Sequence, residues 1–268
     1  MTEVRPPVQL RIADDIRVQI EKGVLQPGDS LPPLHELAER WSCSITSARN
    51  AIALLKTQGL ITGGRGKAPV VRVPPRRVVR TSARHQAEKD RAMAPAGERV
   101  VHGEAEDDLG LPLDDVDFRA DYLLVPATEE LAAVFGCQPG EDLLRKQYEA
   151  RDRTGWTRYS FSVSYVPARL LESRPELLSS ECEPWPGGHQ HQLRMVGIEI
   201  AEIVDEVDAR MPTTVEAQRW GLEDGVPLLV VRRISIDTDG RVVEVSDAQY
   251  PADRTLLRFP TPLKPWSE

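Results

Sequence analysis

Three helical patterns, two compact breaks and a short hairpin follow one another within the first 73 residues, and that order leaves few folds open. VQLRIADDIRVQIEKG at 8–23 places Leu10, Ile12, Ile16 and Ile20 at helical spacings and ends on Gly23, a residue suited to a helix C-cap. LQPGDSLPP at 25–33 reads as a turn, because Pro27 fixes φ, Gly28 and Asp29 suit a bend, and two further prolines delay the next helix. LHELAERW at 34–41 puts Leu34, Leu37, Ala38 and Trp41 on one face before SCS interrupts it. In the third helix, ITSARNAIALLKTQG, Ala48, Ile52 and Leu55 form the buried stripe and Ser44 is the expected N-cap. LIT at 60–62 and APVVRV at 68–73 then read as two strands around the basic tip GGRGK.

Three helices and a hairpin in this order predict a winged helix-turn-helix. Such a domain offers the N-terminus of its second motif helix to the DNA major groove, where small polar and basic side chains touch base edges and phosphates. Ser44, Thr46, Ser47, Arg49 and Asn50 fit that role: Arg49 suits a guanine edge or a phosphate, and Asn50 suits adenine. The hairpin tip supplies Arg65 and Lys67, with Gly66 permitting close approach to the backbone.

Charge follows the same division. The chain has a net charge of -8, yet residues 1–80 hold 13 Lys and Arg against 7 Asp and Glu. A basic head on an acidic body orients itself on polyphosphate. No stretch approaches the ~18 consecutive apolar residues of a membrane span, and MTEVRPPVQL lacks the apolar core of a signal peptide, so a cytoplasmic protein is expected. Cys43, Cys137 and Cys182 are odd in number and far apart, which predicts reduced, mostly buried thiols rather than a disulfide framework or zinc site.

The head also resembles the GntR family of bacterial winged-helix repressors over residues 6–76. PGD-LP at 27–32, ELAERW at 36–41, the run ending in GLI at 59–61 and GRG at 64–66 carry that likeness. The resemblance implies major-groove contact by Thr46, Ser47 and Arg49, minor-groove contact near Gly66, and a homodimer on a near-palindromic operator. His35 and Ile45 stand where members usually carry arginine, so the operator is not expected to be the typical one. His35 stays in the DNA-contacting set; Ile45 suits a thymine methyl or packing against the helix-two turn.

From about Pro74 the chain is polar and broken by proline and glycine, which sets a linker at 74–80 and a second domain at 81–268. Strand-like runs such as YSFSVSYVP alternate there with helical runs such as ATEELAAVFG, an α+β pattern. SYVP at 164–167, PGG at 186–188, VDARMPTTVEAQRWGLEDGVPLLVVRR at 207–233 and DGRVVEVSDAQYPADR at 239–254 resemble the UTRA effector domain of the HutC branch. That likeness implies a sheet flanked by helices, similar to chorismate lyase, with a ligand cleft and dimer assembly. It carries ligand contacts onto Glu244 and Tyr250, and anion contacts onto the basic residues of RKQYEARDR, Arg145 and Arg151 among them. Ser162 replaces a carboxylate common in relatives, Ser82 follows the linker and is placed at the same cleft, and His189 of GGHQHQ suits an anionic ligand.

These features predict a DNA-binding repressor modulated by a small-molecule effector, an anionic one among the candidates, with no cofactor. A repressor that answers to no ligand and a lyase-like enzyme are the alternatives. A metal held by His189 and His191 is not expected, because an H-x-H pair without a third ligand is a weak zinc pattern. No nucleophile elbow, phosphate loop or acid/base pair favours the enzyme.

Overall fold

A computed structural model describes residues 6–63, 68–75, 77–95, 116–152 and 158–264. The wing-tip residues Arg65, Gly66 and Lys67 lie outside them. The chain divides into two compact units, Met1–Arg76 with Met211–Pro227, and Arg77–Arg210 with Leu228–Glu268.

In the first unit α1 (Val8–Glu21), α2 (Leu34–Arg40) and α3 (Ile45–Thr57) enclose one apolar core. Ile12, Ala48, Ala51 and Leu55 are wholly buried in it. Leu10 is instead 43% exposed, since it lies two residues from Ile12 and two positions apart on a helix point to opposite sides. The break between α2 and α3 turns through Ser42 at φ 48°, the one non-glycine residue at positive φ among the described residues. Two short strands, β1 (Ile61–Thr62) and β2 (Val70–Val71), pair antiparallel. The PGD turn closes on them: Gly28 N donates to Val71 O and Val71 N donates to Asp29 O. Its prolines and glycine therefore build the wing as well as separating two helices.

A further helix, α7 (Thr214–Arg219), begins in a capping box between Thr213 and Glu216 and belongs to this first unit. There a Cβ on Gly225 would stand 2.3 Å from the Thr57 carbonyl oxygen, so only glycine permits the approach.

The second unit is built on an antiparallel sheet in the order β4-β5-β6-β9-β8-β7. Its strands are β4 (Val116–Pro126), β5 (Asp142–Asp152), β6 (Arg158–Pro167), β7 (Ile200–Arg210), β8 (Leu228–Asp237) and β9 (Val242–Pro251). Helices α4 (Arg84–Met93), α5 (Glu129–Phe135) and α6 (Gly188–Met195) complete the unit. Thr128 caps α5 at its start and Gly136, at φ 61°, ends it. Leu144, Val166 and Val243 share a core with Leu193 of α6, whereas Leu143 and Val245 pack with Leu131 and Phe135 of α5. Part of the stretch read from sequence as linker is a strand, β3 (Val78–Thr81), paired in parallel with β10 (Thr255–Arg258). A partner so distant in sequence leaves no local signature.

Cys43 and Cys137 are half-buried and Cys182 is exposed, so the expectation of mostly buried thiols is corrected. Cys182 sits in a short 3-10 turn that places it at the surface.

Candidate functional site

The first arrangement is the N-terminus of α3. Ser44 Oγ accepts the Ser47 amide at 3.1 Å and lies 3.0 Å from the Ser47 hydroxyl. That cap fixes the first turn and orients the side chains after it. Thr46, Arg49 and Asn50 are exposed, and Ser47 is half-buried. Among the described residues Arg49 makes no ion pair or side-chain hydrogen bond, which leaves a full guanidinium fork beside a helix N-terminus. His35 is exposed on α2, and Ile45 is 51% exposed, which corrects the reading that packed it against the helix-two turn.

The second is a cavity of about 130 Å3 on one face of the sheet. Alternation along each strand selects its lining: Glu244, Ser246, Ala248 and Tyr250 from β9, Ser160 and Ser162 from β6, and Val231, Arg233 and Ser235 from β8. Glu183–Trp185 and Gly188–Gln190 cover this face, and Glu88 of α4 and Arg80 of β3 close one side. The Arg80 guanidinium lies 4.1 Å from the centre of the Tyr250 ring, a cation-π contact.

Glu244 is the centre of charge. Its Oε1 accepts Ser164 Oγ at 2.6 Å and lies 3.0 Å from His189 Nδ1. Burial works against ionising Glu244, but the charges of His189 and Lys146 and the Ser164 hydrogen bond bring its pKa down to about 2. Burial likewise disfavours the charged His189, yet the Glu244 carboxylate prevails and raises it to about 9. His189 keeps 31% of its side chain exposed, so solvent moderates this pair.

The sign of the pH effect follows. The His189 contribution to stability is complete below its ordinary value of 6.5 and is lost as pH rises through about 9. The Glu244 contribution is complete above 4.5 and is lost as pH falls toward about 2. Thermal midpoints of the full chain should therefore fall between pH 6.5 and 9, and His189→Gln should flatten that slope. An unchanged slope in the variant would remove His189 from the pair.

A buried polar network runs inward from Glu183 and Tyr148 of the cavity wall. Lys146 Nζ donates to Gln192 Oε1, and Gln192 Nε2 donates to Glu183 Oε1 at 3.1 Å. The same Glu183 oxygen accepts the Tyr122 hydroxyl and, at 3.1 Å, the Tyr148 hydroxyl, while Oε2 accepts the Trp185 amide at 2.8 Å. Burial lowers the Lys146 pKa and raises that of Tyr122, with the Glu183 charge raising Tyr122 further. One carboxylate thus ties the covering loop to β4 and β5.

Of the residues singled out from sequence, Ser162, His189, Glu244 and Tyr250 meet in the cavity. Arg145 and Arg151 do not line it. Arg145 instead sits 3.7 Å from Asp121, and Arg151 is bound to Glu149. Strand alternation explains the difference for Arg145: Lys146 and Tyr148 point inward from β5, so Arg145 points outward. Ser82 lines a smaller neighbouring cavity with His85 and Asp205. Sequence reasoning missed Arg80, Glu88, Glu183 and Arg233, which are far apart along the chain and come together only in the fold. Among the described residues no group of three His, Cys, Asp or Glu side chains is placed to hold a metal ion, and no helix is long and apolar enough to cross a membrane.

Comparison with known proteins accounts for both arrangements. Residues 8–71 match bacterial regulatory proteins of the gntR family, and residues 120–255 match the UTRA domain. The chain belongs to the GntR family and carries a UTRA domain. Among similar members, the HTH-type transcriptional repressor NagR of Bacillus subtilis is 27% identical over 92% of each chain. The HTH-type transcriptional repressor PhnF of Mycolicibacterium smegmatis is 25% identical over 89% of this chain and 88% of its own. A crystal structure of a GntR-family transcriptional regulator superposes with a TM-score of 0.70 at 26% identity, covering 96% of this chain and 98% of that one. In this GntR regulator the gntR match spans α1 to α3 with β1 and β2, and the UTRA match spans most of the residues that line the cavity, with Arg80, Glu88 and Phe118 lying before it.

Proposed function

We propose that this GntR regulator represses transcription as a cytoplasmic homodimer bound to a near-palindromic operator. On this reading, the N-terminus of α3 reads each half-site and a small molecule in the cavity changes operator affinity. The observation that carries it is the capped N-terminus of α3, with exposed Thr46, Arg49 and Asn50, in a chain whose second unit holds a lined cavity. Ser44 and Ser47 fix that turn, His35 flanks it, and the wing residues Arg65, Gly66 and Lys67 add minor-groove contact.

The effector carries an anionic group, which Arg80, Arg233 and His189 would face, while Ser162, Glu244 and Tyr250 supply hydroxyl, carboxylate and aromatic contacts. Ligand sensing rather than turnover is supported by the arrangement of Ser164, Glu244 and His189. Ser164 and His189 both turn to the same carboxylate oxygen, so the histidine is not placed to take the serine proton.

Selection of bound fragments from genomic DNA by the purified full chain tests the reading. Enrichment of a near-palindrome with half-sites about one DNA turn, ~34 Å, apart is expected. No enrichment at low salt would overturn it.

A further inference from the structure

On the reading that α3 meets DNA, we propose that Ile45 contacts the C5 methyl of a thymine in each operator half-site and so fixes one base pair of the sequence this regulator selects. Of the large apolar side chains of α3, Ile52, Leu54 and Leu55 pack in the core of the first unit, whereas Ile45 stays outside that core and 51% exposed. It therefore contributes little to holding the head together. An apolar side chain left in water gains free energy from an apolar group that covers it.

The first turn of α3 decides which group that is. Ile45 is the first residue of the helix, directly after the Ser44 cap. Ser44 and Ser47 are turned toward one another, with Ser44 Oγ accepting the Ser47 amide at 3.1 Å and lying 3.0 Å from the Ser47 hydroxyl. Ile45 and Thr46 are both exposed beside them. Helical side chains lean toward the N-terminus, so these two project at the end of a recognition helix that meets base edges. Arg49 follows Ile45 by four residues and shares its flank of the exposed face.

The major groove offers one apolar group on a base edge, the thymine methyl. Ile45 has no polar side-chain atom, so it discriminates among bases through that methyl. Branching at Cβ restricts its χ1 in a helix, so the contact costs little side-chain freedom. One helical turn, about 5.4 Å, separates Ile45 from Arg49, and base pairs stack about 3.4 Å apart. The thymine accordingly lies within about two base pairs of the position Arg49 contacts.

Deoxyuridine in place of single thymines removes the methyl and keeps every hydrogen-bonding group, which tests the contact in the full chain. Fluorescence anisotropy on the operator selected from genomic DNA should find one thymine per half-site whose methyl, when removed, weakens binding about three- to fourfold, the size expected for one methyl group taken out of water. Changing both half-sites should weaken it about tenfold or more. Ile45→Ala, whose side chain stops at Cβ, should bind the thymine operator as weakly as the wild type binds the uracil one and should not distinguish the two. Ile45→Val should keep most of the discrimination. Both variants alter an exposed side chain and should melt as the wild type does. Uracil without effect at every thymine would overturn the contact, as would an equal uracil effect in Ile45→Ala or a sensitive thymine farther from the Arg49 position. Weaker binding by Ile45→Ala with no uracil effect would overturn it too, and would point to a contact with protein. A wild-type chain that selects no DNA would sink the reading of α3 and this contact with it, whereas a selected operator indifferent to uracil sinks only the contact.

Discussion

Replacing Arg49 by alanine is expected to weaken specific operator binding by roughly ten- to a hundredfold, the equivalent of about 1–3 kcal/mol for one bidentate base contact. The expectation rests on where the fold places this guanidinium. It is exposed on the first turns of α3, with no ion-pair partner among the described residues, beside a helix N-terminus already fixed by Ser44. Being exposed, it contributes little to folding, so the variant should keep the wild-type circular dichroism and melting curve. Fluorescence anisotropy against selected and scrambled sequences separates two roles. A base contact loses discrimination at one position, whereas a phosphate contact weakens all sequences alike and lowers the salt slope by about one. Unchanged affinity for the selected sequence would show that α3 does not read DNA through Arg49.

Replacing Glu244 by alanine should destabilise the second unit by about 3 kcal/mol, because it leaves buried charge without its counter-ion. For a unit of this size the unfolding midpoint should fall by roughly 6–12 °C. Glu244 lies 6% exposed between His189 and Ser164, close enough to Lys146 for the two charges to act on each other. Its removal strands the histidine and the serine hydroxyl and leaves Lys146 with Gln192 and the charge of Glu183. Glu244→Gln keeps an acceptor for Ser164 and should cost about 1 kcal/mol. Thermal unfolding at pH 6, where both partners of the His189 pair are charged, gives the largest difference. An alanine variant as stable as the wild type would mean that Glu244 is not the buried counter-ion of this cavity.

The head was legible because its determinants are local. Helical spacing, Pro27, Gly28 and the Ser44 cap act within a few residues of one another, and the three helices fall where those signals place them. Where the stripe was misread, at Leu10, the error came from grouping residues two apart. The UTRA likeness brought Glu244 and Tyr250 to attention, and the structure puts both on one face of β9. The same likeness directed attention to Arg145 and Arg151, and there strand alternation and the pairing with Asp121 and Glu149 turn them to other uses.

By itself, then, the sequence determined the order of helices and strands in the head, the Ser44 cap of its third helix and the division of charge between head and body. Each depends on neighbours in the chain, through backbone propensity, side-chain period or simple counting. The tertiary structure alone decided which carboxylate meets which cation. Glu88 reaches Gln190, Glu183 gathers Tyr122 and Tyr148, and β3 finds β10, across separations with no periodicity for a sequence to display. Sheet order sets those distances, and sheet order follows from burying apolar faces throughout the unit rather than from any local run of residues.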